Sequence, residues 1–375
     1  FSVLAGKRPE SRAPSCNWSS IRTTIVQGRA VSTKISDREP SHDPVDSGVT
    51  ALIEAVRAER RITVHLNATV AETSGAPGCF KVTLAVESGQ TLAEEAGAIV
   101  QATGFSLYDA SRLTEFSWGA SPNIVDQAGL EKLARDAKGG AIRRPSDGAA
   151  VKTVVFVQCA GQRDDSGRHL PYCSGHCCAT SIKQAMYFKD ENPAVETIVI
   201  YTDLRVPGNG EDFYRAAQAK GISFTKGTVS AVEPVGNSCR VKFRDLILAE
   251  DATIDNADLV VLATGQVPNS GIDIENPEMR DANGAKPVSI LNLAYRQGKD
   301  VPHLRHGFSD SHFICFPYET RRTGIYTCGP VRRPMDIPQA LEDATGAALK
   351  AIQAVENAQL GRAAPPRSGD LSYPI

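Results

Sequence analysis

The sequence predicts an α/β fold in which one parallel-sheet unit is inserted between two pieces of another, and three observations carry that prediction. Elements between Val154 and Thr225 alternate as strand, helix, strand, helix, strand, an order that builds a parallel sheet with helices on its faces. The stretches Ala98-Ile-Val-Gln-Ala-Thr-Gly and Ala257-Asp-Leu-Val-Val-Leu-Ala-Thr-Gly repeat one pattern, an apolar strand ending in a glycine turn, on either side of that unit. A helical run from Val49, followed by alternation at Ile62-Thr-Val-His-Leu, supplies half of a βαβ motif ahead of both.

In chain order, residues 1–41 are rich in Ser, Arg and Thr and carry no assignable element. Cys79-Phe-Lys-Val-Thr-Leu-Ala-Val alternates as a strand, and Ala98 opens the next. Arg143-Arg-Pro-Ser-Asp-Gly-Ala then breaks the pattern, so a boundary is placed there: a first outer piece at 42–142 and an inserted domain at 150–250. The insert reads as a strand at Val154, a helix through Ser181 to Lys189, a strand at Thr197, a helix from Asp212 to Lys220 and a strand at Ile222. Two more strands are expected around Val229 to Val232 and Cys239 to Phe243. The outer domain resumes over 251–360, with 361–375 as a tail. Its last helix starts near Asp336, where Asp336 and Gln339 fit a capping box. Ala340, Ala344, Ala347 or Ala348, and Ile352 offer a small-residue stripe for packing on a sheet.

The chain has 375 residues, enough for two cores without disulfide staples. Lys and Arg total 41 against 43 Asp and Glu, a formal charge of −2, which gives no electrostatic reason to expect nucleic acid or an anionic membrane as the main partner. No run approaches the ~18 apolar residues that cross a bilayer, so a membrane link is expected only through a partner. The chain opens on Phe1 without a signal-peptide pattern and is expected to be a fragment of a cytoplasmic protein. Of nine cysteines, four crowd between positions 159 and 178, which fits a redox or metal site in a reducing compartment better than a disulfide framework.

Those four are Cys159 in Gln158-Cys-Ala-Gly-Gln-Arg, and Cys173, Cys177 and Cys178 in Pro171-Tyr-Cys-Ser-Gly-His-Cys-Cys. Thiolates are soft anionic donors, and a cubane cluster usually takes four of them. One lies at a strand end and three flank a loop entering a helix, so they can converge beside a helix N-terminus that favours negative charge. Tetrahedral zinc is the competing reading, although Cys177-Cys178 lacks knuckle spacing. Four buried thiols without a metal is the plainer one. A Cys-x-x-Cys redox centre is absent.

The paired turns Ala102-Thr103-Gly104 and Ala263-Thr264-Gly265 carry the second signal, because in dinucleotide-binding folds the ligand meets strand carboxyl ends and glycine lets the backbone approach it. Gly324-Ile-Tyr-Thr-Cys-Gly-Pro-Val, containing Gly329, Pro330 and Val331, precedes a helix whose first residues, Ile337 among them, present amides to a flavin ring. Arg321-Arg322 and Arg332-Arg333 bracket this segment as ligands of flavin phosphates or of a partner's carboxylates, or as a solvated basic face. Cys328 reads as a packed thiol, Cys315 as structural, and Cys16, Cys79 and Cys239 form no constellation.

Taken together, Ala-Thr-Gly-Phe, Gln-Cys-Ala-Gly-x-Arg, Tyr-Cys-Ser-x-x-Cys-Cys and the Ala257 to Gly265 segment resemble the flavin/iron–sulfur A-subunit family of heterodisulfide reductases. Asp310-Ser-His-Phe-Ile-Cys-Phe-Pro-Tyr-Glu-Thr-Arg-Arg-Thr-Gly-Ile-Tyr and Arg333-Pro-Met-Asp look, within it, like the B subunit of the quinone-interacting membrane-bound oxidoreductase, the likeness covering about 42–375. The resemblance implies a thioredoxin reductase-like flavoprotein fold with two dinucleotide-binding domains, FAD, and a [4Fe–4S] cluster on Cys159, Cys173, Cys177 and Cys178. It implies a subunit that moves electrons in dissimilatory sulfur metabolism between the other subunits of such a complex, a membrane quinone module and adenylylsulfate reductase, with no acid/base pair.

The family's Gly-x-Gly-x-x-Gly loop is missing from 1–41, its ferredoxin-like extension follows a segment like Arg367-Ser-Gly-Asp-Leu-Ser-Tyr-Pro, and Gly329-Pro330 stands where many flavin disulfide reductases have Gly-Asp. Both ends are therefore expected to be truncated, and FAD binding by this chain alone is left open. A stand-alone NAD(P)H-dependent oxidoreductase and a zinc-stabilised scaffold remain as alternatives, the first weakened because Gly208-Asn-Gly lacks a third glycine.

Overall fold

The structure is a computed structural model and describes residues 2–5, 23–27, 49–206, 208, 210–271, 291, 293–294, 304, 306–311 and 317–361. Cys16, His312, Cys315 and the segment from Arg367 lie outside the described residues.

The chain divides into two compact units. Unit 1 draws on Thr50–Ser106 and on residues before and after, and unit 2 is built on Leu107–Gln266. The walk begins with β1 (Ser2–Ala5), β2 (Thr23–Gln27), α1 (Val49–Ala58) and β3 (Ile62–Leu66). β2 pairs parallel with β3, so the βαβ motif is completed by a strand inside the stretch that sequence reading left unassigned. A four-residue and a five-residue strand are too short for periodicity to announce them. Next come β4 (Ala68–Ser74), β5 (Phe80–Val86), β6 (Thr91–Ala96) and β7 (Ala98–Gln101), and the chain leaves unit 1 through β8 (Phe105–Leu107).

Unit 2 contains β9 (Ile124–Asp126), α2 (Gln127–Asp136), β10 (Thr153–Val157), α3 (Cys177–Glu191), β11 (Glu196–Tyr201), α4 (Gly210–Ala219), β12 (Ser223–Val235), β13 (Ser238–Asp245), β14 (Glu250–Ala257) and β15 (Leu259–Leu262). These strands form a mixed sheet ordered β14-β13-β12-β11-β10-β15-β9. From β12 to β9 its neighbours are parallel. Strands covered on both faces must be apolar throughout. Leu259, Val260, Val261 and Leu262 accordingly are all fully buried. Val154 and Phe156 of β10 pack with Leu130 of α2, Ile182, Ala185 and Phe188 of α3, and Phe213 and Ala217 of α4. Each large side chain so buried contributes about 1.5–3 kcal/mol.

The chain returns through β16 (Gln266–Pro268) to β17 (Leu293–Ala294), β18 (Ile325–Thr327) and α5 (Ile337–Gln359). Unit 1 holds a five-stranded sheet, β18-β7-β1-β2-β3, and a four-stranded sheet, β17-β4-β5-β6. α5 starts with the expected capping box: Asp336 accepts from the Gln339 amide at 2.9 Å while Gln339 accepts from the Asp336 amide at 3.3 Å.

Three expectations are corrected. The compact division falls before Leu107 rather than near Arg143, because β9 adds to the parallel sheet beside β15 and α2 feeds its core. The break at Arg143 to Ala149 is a surface turn of unit 2, closed by Gly148 N–H to Arg144 O (2.9 Å) and pinned by Arg144 to Asp147 and to Asp258, both at 2.7 Å. The two strands expected at Ile222 and Val229 are one, β12, which passes from parallel pairing with β11 up to Lys226 to antiparallel pairing with β13 from Gly227, with a bulge further on at Val229/Ala231. Gly227 inside it is no turn; a Cβ there would meet Phe243 Cδ2 at 2.9 Å. The buried stripe of α5 is Asp343, Ala347, Ala351 and Val355, while Ala344 and Ile352 face outward.

Candidate cysteine centre and dinucleotide edge

β10 ends at Val157, and the chain must turn at once at the carboxyl edge of the sheet. Cys159 does so with φ 57°, a left-handed conformation that costs a non-glycine residue on the order of 1–2 kcal/mol. The Gln162 amide closes the turn on Cys159 O at 3.0 Å. Gly161, at φ 74°, has no alternative: a Cβ would stand 2.5 Å from the ring of the buried Tyr108. That tyrosine's hydroxyl meets His169 Nδ1 at 2.8 Å, and His169 Nε2 meets Glu115 at 2.9 Å. Leu170 N–H to Gly161 O (3.1 Å) and Arg163 N–H to Tyr172 O (3.2 Å) bring the second limb back, delivering Cys173 opposite Cys159. Gly175 donates its amide to Cys173 Sγ at 3.3 Å, and α3 then begins with Cys177 and Cys178 at its N-terminus.

Three of the four thiols are shifted upward, each chiefly by burial and further by other sulfurs of the set. Burial pushes the Cys177 thiol far above the ordinary range, and Cys178, Cys159 and Cys173 push it further. Burial lifts Cys178 to about 11, with Cys159 and Cys173 adding to the rise. Cys159 is raised by burial and by Cys173, against the opposing Arg163 guanidinium. Arg163 in turn reaches Asp203 at 2.6 Å and Thr202 Oγ1 at 3.2 Å. Among the described residues, no three His, Cys, Asp or Glu side chains stand as ligands of a single metal ion. A cluster spreads four thiolates over separate irons, a wider set, and this soft donor set fits that group. Two buried polar side chains beside the thiols lack partners: both amide atoms of Gln158 and the hydroxyl of Thr264.

Ala263, Thr264 and Gly265 follow β15, the parallel neighbour of β10, and the structure brings them to the cysteine loop. Cys177 Sγ lies 3.4 Å from Thr264 O. Gln162, 6% exposed, donates through Nε2 to Cys177 Sγ (3.3 Å) and Ala263 O (3.4 Å), and accepts from the Ser174 amide (3.0 Å). Ser174 Oγ in turn accepts from the Gln266 amide at 2.8 Å. Sequence reading missed Gln162 and Ser174 as site residues. Both lie inside the cysteine motif, but spacing says nothing about where an amide points.

The other named residues lie in unit 1. Ala102, Thr103 and Gly104 follow β7, and Gly329, Pro330 and Val331 follow β18 as a 3-10 turn. β7 and β18 pair parallel, Gln101 opposite Thr327, so both segments leave one carboxyl edge, where open α/β sheets bind their ligands. Gly104 (φ 71°) and Gly329 (φ 75°) are left-handed, and a Cβ on either would meet nothing within 4 Å. Thr103 Oγ1 donates to Asn269 O at 2.5 Å. The buried carboxylate of Asp343 on α5 takes the Gly329 amide at 2.8 Å and pairs with Arg332, whose guanidinium lies 5.1 Å from the Tyr318 ring centroid. Cys328 is a packed thiol that burial lifts to about 12. Ile337 opens α5 and is 38% exposed.

This architecture is a thioredoxin reductase-like flavoprotein fold of two dinucleotide-binding domains. It matches thioredoxin reductase from T. acidophilum with a TM-score of 0.52 at 14% identity, over 88% of this chain and 97% of that one. The Lactococcus lactis enzyme gives 0.52 at 14%, over 89% and 99%. At the sequence level the chain is homologous to the A subunits of heterodisulfide reductases. It is 33% identical over 264 residues to the A subunit of the H(2):CoB-CoM heterodisulfide,ferredoxin reductase of Methanothermobacter marburgensis, covering 68% of this chain and 37% of the relative. It is 31% identical over 268 residues to an iron-sulfur A subunit of the CoB-CoM heterodisulfide reductase of Methanopyrus kandleri, covering 70% and 38%. The chain thus spans little more than a third of the length of these relatives. No protein-family profile matches it.

Proposed function

We propose that this chain is the flavin- and iron–sulfur-carrying part of an electron-transferring oxidoreductase subunit in a heterodisulfide reductase-type complex. The observation that carries the reading is the cysteine centre: four thiols from three segments, at the carboxyl edge of a parallel sheet and the N-terminus of α3. In this reading Cys159, Cys173, Cys177 and Cys178 ligate a [4Fe–4S] cluster, which supplies one-electron storage. Arg163 and the N-terminus of α3 offset the negative charge of the ligated thiolates. Gly104 and Gly329 leave backbone room for FAD at the β7/β18 edge, with Thr103 and Val331 beside them. The iron-sulfur protein named among the relatives supports the cluster, and the thioredoxin reductase-like fold supports the flavin.

The partners are the other subunits of such a complex. The Asp310 and Arg333 motifs favour the quinone-interacting branch, hence dissimilatory sulfur metabolism, electron exchange with adenylylsulfate reductase, and a cytoplasmic subunit that meets a membrane only through a partner. Among the described residues no helix is long and apolar enough to cross a membrane.

The test is anaerobic purification with iron, sulfide and zinc analysis. About four irons per chain are expected, by the composition of a cubane cluster; stoichiometric zinc without iron overturns the reading. Replacing Cys177 and Cys178 by Ser should abolish the cluster absorbance. The flavin half is tested separately by quenching of FAD fluorescence on titration with the chain, and unchanged fluorescence overturns it.

A further inference from the structure

We infer that Gln162 is a positioning residue that tunes the cysteine centre, its side-chain amide donating an N–H to the sulfur of Cys177 and holding the centre at a higher reduction potential. The inference rests on the cluster reading above. The orientation of the amide is set by its neighbours: the Ser174 backbone N–H can only donate, so it requires the Gln162 oxygen at 3.0 Å, and the Ala263 carbonyl can only accept, so it requires the nitrogen at 3.4 Å. The same NH₂ then faces Cys177 Sγ at 3.3 Å. His176 Nδ1 lies farther from that sulfur, at 3.7 Å. Thr264 O, at 3.4 Å, accepts only while Cys177 keeps its proton. Once the sulfur is a thiolate ligand, the Gln162 N–H is the nearer side-chain donor to it.

Everything around the amide holds it in place. Gln162 is 6% exposed, Ser174 is 1% exposed, and Gly265 lacks the Cβ that would displace both. A hydrogen bond to a ligand sulfur stabilises the electron-rich reduced state more than the oxidised one, because the extra electron increases charge on the sulfurs. Removing the donor therefore lowers the potential.

The test is an anaerobic redox titration, followed by electron paramagnetic resonance and absorbance, of the iron-loaded full chain as it stands and with Gln162→Leu or Gln162→Glu. Iron and sulfide are quantified in each sample. Both variants should retain the cluster and titrate at a more negative midpoint, Gln162→Glu further than Gln162→Leu because it adds a charge as well. An unshifted midpoint in Gln162→Leu overturns the inference, including when Gln162→Glu shifts, since that is a charge effect alone. Loss of iron from both variants also overturns it, by making Gln162 a requirement for assembly rather than a tuning group. An unmodified chain that takes up no iron overturns the cluster reading itself, which separates that failure from the others.

Discussion

The end of the Gln162 side chain occupies the space that a side chain on Gly265 would need: a Cβ there would stand 2.3 Å from both Cδ and Oε1 of the glutamine, and 2.6 Å from Ser174 Oγ. The second Ala-Thr-Gly turn therefore ends in glycine to seat an amide against a thiol. Gly265→Ala should destabilise unit 2 by about 1–3 kcal/mol, as the buried amide is pushed off its partners. Urea denaturation of the single and double mutants checks this. In a Gln162→Ala background the cost should shrink to the part that the Ser174 hydroxyl imposes, and an undiminished cost would show that the glutamine contributes none of the clash.

Gly346 sets up a similar competition within α5. Alanine at a helix interior gains about 1 kcal/mol over glycine in propensity. A Cβ at Gly346, however, would meet the Tyr318 ring at 2.2 Å, and Tyr318 already holds φ 68°. Overpacking costs about 1–3 kcal/mol, so Gly346→Ala should lower the melting temperature. A rise would mean that the ring moves aside freely.

The buried pair of Asp343 and Arg332 anchors the turn after β18. Asp343→Ala strands a guanidinium and should cost about 3–5 kcal/mol, whereas Asp343→Asn, which still accepts from the Gly329 amide, should cost less. Equilibrium unfolding in urea distinguishes the two. Equal losses would mean that the charge of Asp343 accounts for the whole effect and the hydrogen bond that Asn retains for none of it.

Alkaline stability follows from a thiol outside the cysteine centre. Burial lifts Cys239, which is fully buried on β13, from 9.0 to about 11. Between those values the folded chain keeps a proton that the unfolded chain has released, so stability falls as pH rises through that window, by on the order of 3 kcal/mol from this group. Below the window the contribution is complete. Cys239→Ala should flatten that share of the decline while adding a cavity penalty that does not vary with pH. An unchanged slope in pH-dependent unfolding would refute the assignment.

The inserted parallel unit was legible because its strands and helices are long runs with clean periods, and the capping box at Asp336 and Gln339 was legible because it is a local hydrogen-bond exchange. The boundary was not. β9 has three residues, and its role depends on Val260 lying opposite Ile124, a pairing between distant parts of the chain that no local pattern encodes. Gly227 and Gly265 each make room for a neighbouring side chain, and which neighbour is known only once the sheet is assembled. The four cysteines were legible as a group through their crowding. The Gln162 amide was not, since its direction depends on Ser174 and Ala263 arriving from separate segments.

The place of β10 between β11 and β15 bears on how this protein can be cut. A fragment limited to 150–250 keeps the cysteine loop, but it omits both β15 and β9, leaving Val154, Val155, Phe156 and Val157 as an apolar outer strand with unpaired amides and carbonyls. Such a strand is a template for intermolecular pairing. The excised fragment should therefore form aggregates, and a soluble minimal piece must run from before Ile124 to beyond Leu262.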